Sequence, residues 1–184
     1  MKAKTVKEKP KAEAKMTIKE DYDKLESLKC KNALIKNPSI WVVKNISNKK
    51  MSEVCIHSGF RNFRGNAYYI DGYEIKYGYP NSPTDLAAMD LFFNPIKTLF
   101  IQLQISDYDF SKKIKEENKP TIYLEYKTLT GEAFARDIPA KFHPRQQHKS
   151  IVRMELENIQ ITNNIGIKNL PVGKTAVITL FSQR

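Results

Sequence analysis

Cysteine is scarce in this chain: Cys30 and Cys55 are the only two among 184 residues, too few for a disulfide framework. The N-terminus is a lysine run with no apolar stretch behind it, so no secretory leader is expected. The reading is a reducing compartment, cytoplasmic or inside a virion, and not secreted. An Asn45-Ile46-Ser47 sequon carries no weight without that route. No stretch approaches the roughly 20 apolar residues a spanning helix needs, so no membrane partner is expected. Histidine is rare, with three in the chain, and there is no Gly-x-Ser-x-Gly and no recognisable acid pair. An activated nucleophile with an oriented base therefore finds no support, and the expectation is a non-enzymatic protein with no small-molecule substrate and no cofactor.

Acidic residues are also in deficit. Lys and Arg number 31 against 20 Asp and Glu, a formal charge of +11. The excess is uneven. Lys2, Lys4, Lys7, Lys9, Lys11 and Lys15 against Glu8 and Glu13 give residues 1–16 a charge of +4, and all other residues share the remaining +7. A basic arm of this density implies a polyanionic neighbour, either nucleic acid or an acidic protein surface.

What is present favours strands. At 41% hydrophobic the chain can build one core without staples. A capping box at Thr17–Glu20, followed by Ile18, Tyr22, Leu25 and Leu28, predicts a short amphipathic helix near 18–30, and Asn37-Pro38 closes that region. Beyond it, Trp41-Val42-Val43 and Val54-Cys55-Ile56 read as buried strands around an Asn48-Lys49-Lys50 turn. Asp71-Gly72 between Tyr68–Ile70 and Tyr73–Tyr77 is the strongest hairpin signal. Pro80, Pro83 and Pro95 bracket a short helix at Thr84–Phe92.

Leu99, Ile101, Leu103 and Ile105 alternate with polar or aromatic neighbours, predicting a strand with one core face. Ser106-x-x-Asp109 opens a polar helix to Glu117, stopped by Pro120. Residues 122–138 form a second hairpin turning at Thr130-Gly131. The alternation of Val152, Met154 and Leu156 slips phase at Asn158, as a bulge requires. Thr175–Phe181, apolar on both faces, belongs inside a sheet.

Without an internal repeat, this pattern predicts a mainly β fold: a β-sandwich of immunoglobulin-like or jelly-roll type over 39–184. A few short helices, a short amphipathic helix with a linker over 17–38 and an extended basic arm over 1–16 complete it. A partly open five-stranded barrel is the second candidate.

Four patterns bear on chemistry. Gly173-Lys174-Thr175 fails as a phosphate loop, because the position five residues before Gly173 holds Lys168 and a β-rich run follows where a helix is required. Cys55 and His57, on one face of a strand, with His143 and His148 offer zinc-type ligands, but tight Cys-x2-Cys pairing is absent and no metal is expected. In that reading Cys55 is a core residue and the histidines lie on surface loops.

Phe60, Arg61, Phe63, Arg64 and Tyr68 interleave guanidinium groups with rings that could stack on bases. The segment resembles part of an RNA-recognition signature at Arg64-Gly65, Ala67 and Tyr68. It lacks the aromatics at Asn66 and Asp71, and the element order is not βαββαβ, so no family follows from it. A second basic cluster, Lys141, Arg145 and Lys149 with Arg153, surrounds His143 and His148 in a long loop.

The preferred functional expectation is a structural or assembly protein, a virion accessory component docking on other subunits, with the arm reaching a neighbour or nucleic acid. The alternative is a nucleic-acid-binding protein, a single-strand binder or ribonucleoprotein subunit, using the Arg/aromatic segment.

Overall fold

A computed structural model describes residues 39–47, 54–58, 68–70, 72–77 and 91–183. The arm, the helix near 18–30, the turn at 48–50 and nearly all of the expected helix at 84–92 lie outside the described residues.

The chain is mainly β. Among the described residues nine strands form one curled antiparallel sheet: β1 (Ser39–Asn45), β2 (Val54–Ser58), β3 (Tyr68–Ile70), β4 (Tyr73–Tyr77), β5 (Ile96–Ile105), β6 (Thr121–Thr128), β7 (Ala133–Ile138), β8 (Ile151–Lys168) and β9 (Thr175–Gln183). The order is β3-β4-β1-β9-β5-β8-β6-β7, with β2 added beside β8. β8 unites the two halves of the sheet. Its first part pairs β5, from Ile151 opposite Gln104 to Ile159 opposite Ile96, and its second part pairs β6 and β2. The inner faces of both halves contribute to one apolar cluster, from Trp41 and Val43 through Leu103 and Ile178 to Leu124 and Ile167. Curling of one shared sheet around one core is compatible with a sandwich. Among the described residues no helix is long and apolar enough to cross a membrane.

β9 lies inside the sheet as its two-sided apolarity requires, paired with β1 on one side and β5 on the other. Trp41, Ile178 and Leu103 stand abreast in this ladder and are fully buried.

The phase slip in β8 also holds. Buried Val152 and Met154 give way to buried Ile159 and Ile161, and between them Asn158 adopts φ 55°, a left-handed conformation Asn tolerates better than most residues. The register discontinuity itself comes later, opposite Leu124–Tyr126. In the β3–β4 hairpin Ile70 pairs Tyr73, with Gly72 between them at φ 82°. A Cβ there would stand 2.6 Å from Ser47 Cβ, so both backbone angle and close approach require glycine.

Two expectations are corrected. β5 has two buried faces rather than one: Thr98, Phe100 and Gln102 are buried along with Leu99, Ile101 and Leu103. The second face is bordered by Thr179 and Phe181 of β9 and by Arg153 and Glu155 of β8, so the strand runs through the middle of the sheet. No helix spans 106–117; only Glu116–Asn118 forms a 3-10 turn. The physical reason is local competition. The Asp109 carboxylate accepts the Ser111 amide at 2.9 Å and the Ser111 hydroxyl, satisfying a turn rather than a helix start. The register of β2 also shifts between Cys55 and His57, which pair the adjacent residues Gly166 and Ile165. The β2–β8 ladder is thus irregular at this point rather than a uniform strand pair.

Tyr73 is fully buried in the core, its hydroxyl finding no hydrogen-bond partner among the described residues. Burial pushes its pKa from the ordinary 10.0 up to about 12, because the phenolate is disfavoured in the core. The folded pKa is raised, so this contribution to stability is intact below pH 10 and is lost as pH rises from 10 through 12. Tyr73→Phe is expected to leave neutral-pH stability unchanged or raise it by about 1 kcal/mol, and to flatten the alkaline limb. Urea melts at pH 7 and across pH 10–12 check this; an unchanged alkaline limb would refute it.

Candidate anion-binding loop

The residues joining β7 to β8 hold all the described residues of the predicted site except Tyr68. Asp137 and Glu155 flank this stretch, and no carboxylate lies between them. Pro139 ends β7. Lys141 then rejoins the sheet beside Arg153 through two backbone bonds, Lys141 N to Arg153 O at 2.7 Å and Arg153 N to Lys141 O at 3.1 Å.

A tight turn follows, closed by Gln146 N donating to His143 O at 3.0 Å, with Pro144 at the position where its fixed φ favours such a turn. The Gln146 side chain folds back into the loop. Its Oε1 accepts from His143 N at 3.2 Å; its Nε2 donates to Ile151 O at 2.6 Å and to His148 O. One buried amide thus satisfies three backbone groups on both arms of the loop, which meets the requirement that buried polar atoms be paired. Lys149 O accepts from Phe110 N at 2.7 Å, and Ser150 O from Ile105 N at 3.0 Å, clipping the far end to the last residue of β5 and to the segment that follows it.

On this frame Lys141, Arg145, His148 and Lys149 are exposed. Two members of the predicted cluster are not. Arg153 is buried on β8 opposite Gln102, and His143 is buried beneath the turn, correcting its assignment to the surface. The sequence reading also missed the neighbours. Asp109 lies where the charges of Lys149 and Lys112 reach it; the Ser111 side-chain hydrogen bond first, then the Ser111 amide, and then those two lysines hold its carboxyl below the ordinary carboxylate range. Lys174 Nζ donates to Asp107 O at 3.1 Å. Lys112 and Lys174 therefore join the same end of the sheet, and Asp109 offsets part of the charge of Lys149 and Lys112. Only a fold that returns β8 and β9 to the end of β5 brings these residues together.

The other predicted residues fare as follows. Lys2, Lys4, Lys7, Lys9, Lys11, Lys15, Phe60, Arg61, Phe63 and Arg64 lie outside the described residues. Tyr68 opens β3, paired with Ile75. Gly173, at φ 77°, forms a turn into β9, with Lys174 N donating to Pro171 O at 3.1 Å; the strand that follows rules out the phosphate loop. Cys55 and His57 pair the far part of β8, twelve residues beyond Arg153, roughly 40 Å of extended contour. Among the described residues no group of three or more His, Cys, Asp or Glu could hold a metal ion.

No protein-family model matches this chain. No curated protein matches it either. Among solved structures, a chain in the cryo-EM structure of Broad Bean Stain Virus is 9% identical, with 79% of this chain and 81% of that one covered and a TM-score of 0.28. A likeness this weak carries no functional argument.

Proposed function

We propose that this protein is a non-enzymatic structural component of a large assembly, a virion accessory protein, whose β body docks among other subunits and turns its cationic loop toward an anionic surface. The observation that carries this reading is the loop at 139–150: exposed Lys141, Arg145 and Lys149 on a backbone held by Gln146, with no carboxylate in the segment. Cations on a preorganised backbone forfeit less entropy on binding than cations on a free tail. The lysines of residues 1–16 are the second cationic element. The virion assignment rests on analogy with β bodies that carry basic arms, an association of architecture rather than of site chemistry.

The test separates these elements. A chain lacking residues 1–16 and a chain carrying Lys141→Gln, Arg145→Gln and Lys149→Gln are compared with the parent for binding to polynucleotide and to an acidic polypeptide. The triple variant is expected to bind either polyanion at least about tenfold more weakly at low salt, since each exposed contact contributes through counterion release. Unchanged affinity would remove the loop from the proposal. Were the protein instead a base-stacking nucleic-acid binder, Phe60→Ala with Phe63→Ala would cost roughly 1–3 kcal/mol per lost stack and acidic polypeptide would not compete.

A further inference from the structure

β7 ends the sheet. Its one ladder partner among the described residues is β6. Which backbone groups β7 leaves unused follows from the hairpin turn. Thr128 N donates to Glu132 O at 2.8 Å, so 128/132 is a hydrogen-bonded pair, and the register carries that status to 126/134, 124/136 and 122/138. The N–H and C=O groups of Ala133, Ala135 and Asp137 therefore point away from β6. All three residues are exposed.

Edges of this kind are usually guarded by lysine, proline or a bulge. β7, with the sequence Ala-Phe-Ala-Arg-Asp-Ile, contains neither lysine nor proline. Its one cation, Arg136, is folded back along its own strand. The guanidinium lies 4.3 Å from the Phe134 ring centroid, and Nε and Nη2 donate to Tyr126 Oη at 3.1 and 2.8 Å.

We infer that β7 pairs with β7 of a second copy of this chain, antiparallel across a two-fold axis through Ala135, extending the sheet from one protomer into the next. The register follows from the strand itself. An axis at Arg136 or at Asp137 would set like charges directly opposite each other, which is destabilising. An axis at Phe134 or Ala133 pushes part of the pairing into the 129–132 turn.

With the axis at Ala135, three hydrogen-bonded pairs stay inside the strand: Ala135 with Ala135, and Ala133 with Asp137 in each direction. Each joins groups that already point outward. On the inner face the same register sets Phe134 of one copy opposite Arg136 of the other, an arginine–aromatic pair at each end of the short ladder. On the outer face Asp137 keeps its own Lys168, 3.2 Å away, and meets an alanine. The surface is thus self-complementary, as a two-fold interface must be. It is independent of the basic loop, so either proposal can fail without the other.

The experiment is sedimentation of the full chain over a concentration series into the tens of micromolar, with substitutions at Ala135. The parent is expected to dimerise. Ala135→Lys places two ammonium groups across the axis, and Ala135→Pro removes an N–H that β6 does not use. Each should weaken the dimer at least about tenfold while leaving the circular dichroism and melting of the protomer unchanged.

Register is read separately. Ala135→Cys should cross-link through the new position on mild oxidation, since hydrogen-bonded partners have Cα atoms about 5.5 Å apart. Ala133→Cys should not, its own copy lying four residues away, roughly 13 Å. A monomeric parent, a dimer indifferent to Ala135→Lys, equal cross-linking at Ala133, or occupation of the edge by an unrelated extended peptide while the chain stays monomeric would each overturn the inference.

Discussion

Ile178→Ala is expected to lower unfolding stability by about 3–4 kcal/mol, the range for large-to-small changes at buried aliphatic sites that cannot collapse. Ile178 is fully buried between Trp41 and Leu103, themselves fully buried, on adjacent strands. Neither neighbour can move into the vacated space without leaving a ladder position, so both the transfer and cavity costs apply. Val177, the preceding residue of β9, is only half-buried on the opposite face. Val177→Ala should therefore cost less than about 1.5 kcal/mol. Urea unfolding of both variants checks the pair, with the midpoint shifted and the slope preserved. Equal costs would mean that β9 is not the middle strand between β1 and β5.

Gln146→Ala is expected to cost about 2–4 kcal/mol, unusually much for a loop substitution, because it strands three backbone groups that the amide now satisfies. The loss should be partly local. Amides of residues 143–151 should exchange faster with solvent, and the loop should become the first site of proteolytic cleavage. Polyanion affinity should fall even though no cation has been removed, since Lys141, Arg145 and Lys149 would then have to be ordered on binding.

Gln146→Glu separates shape from hydrogen-bond polarity. It keeps the acceptor for His143 N but turns an oxygen toward the Ile151 and His148 carbonyls, where only the protonated acid can donate. The carboxyl pKa is thereby raised in the fold, so the variant should regain stability as pH falls and lose it as pH rises. A Gln146→Ala chain with native stability, native exchange and native affinity would show that the loop is not held by this residue.

Much of the fold was legible because its signals are local. Asp71-Gly72 dictates a tight hairpin; the alternation of Ile122, Leu124 and Tyr126 dictates a half-buried strand; and the change of phase around Asn158 reports a residue in the left-handed region. Two-sided apolarity placed β9 in the interior.

Other features depend on what is brought near from elsewhere. The even-numbered face of β5, with Thr98 and Gln102 on either side of Phe100, resembles a half-exposed face, yet all three are buried on a strand that lies between β8 and β9. Ser106-x-x-Asp109 resembles a helix start, but aspartate three residues after serine captured its own turn. In the site, the cations of the loop could be read from composition. Gln146 could not: Gln147 beside it has the same chemistry and is exposed, whereas Gln146 is buried, a difference set by the turn at Pro144 and the return of β8. The open edge of β7 was equally invisible, since hydrogen-bond parity exists only once the strands are paired.

The most direct test of the central claim, that the loop at 139–150 is a preformed cationic docking surface, is the salt dependence of polynucleotide affinity. It is measured for the full chain and for the Lys141→Gln, Arg145→Gln, Lys149→Gln variant. Three contacts at about 0.9 counterions each predict a log–log slope shallower by roughly 2 to 3 in the variant, with weaker binding at low salt. Identical slopes and affinities for the two chains would contradict the account.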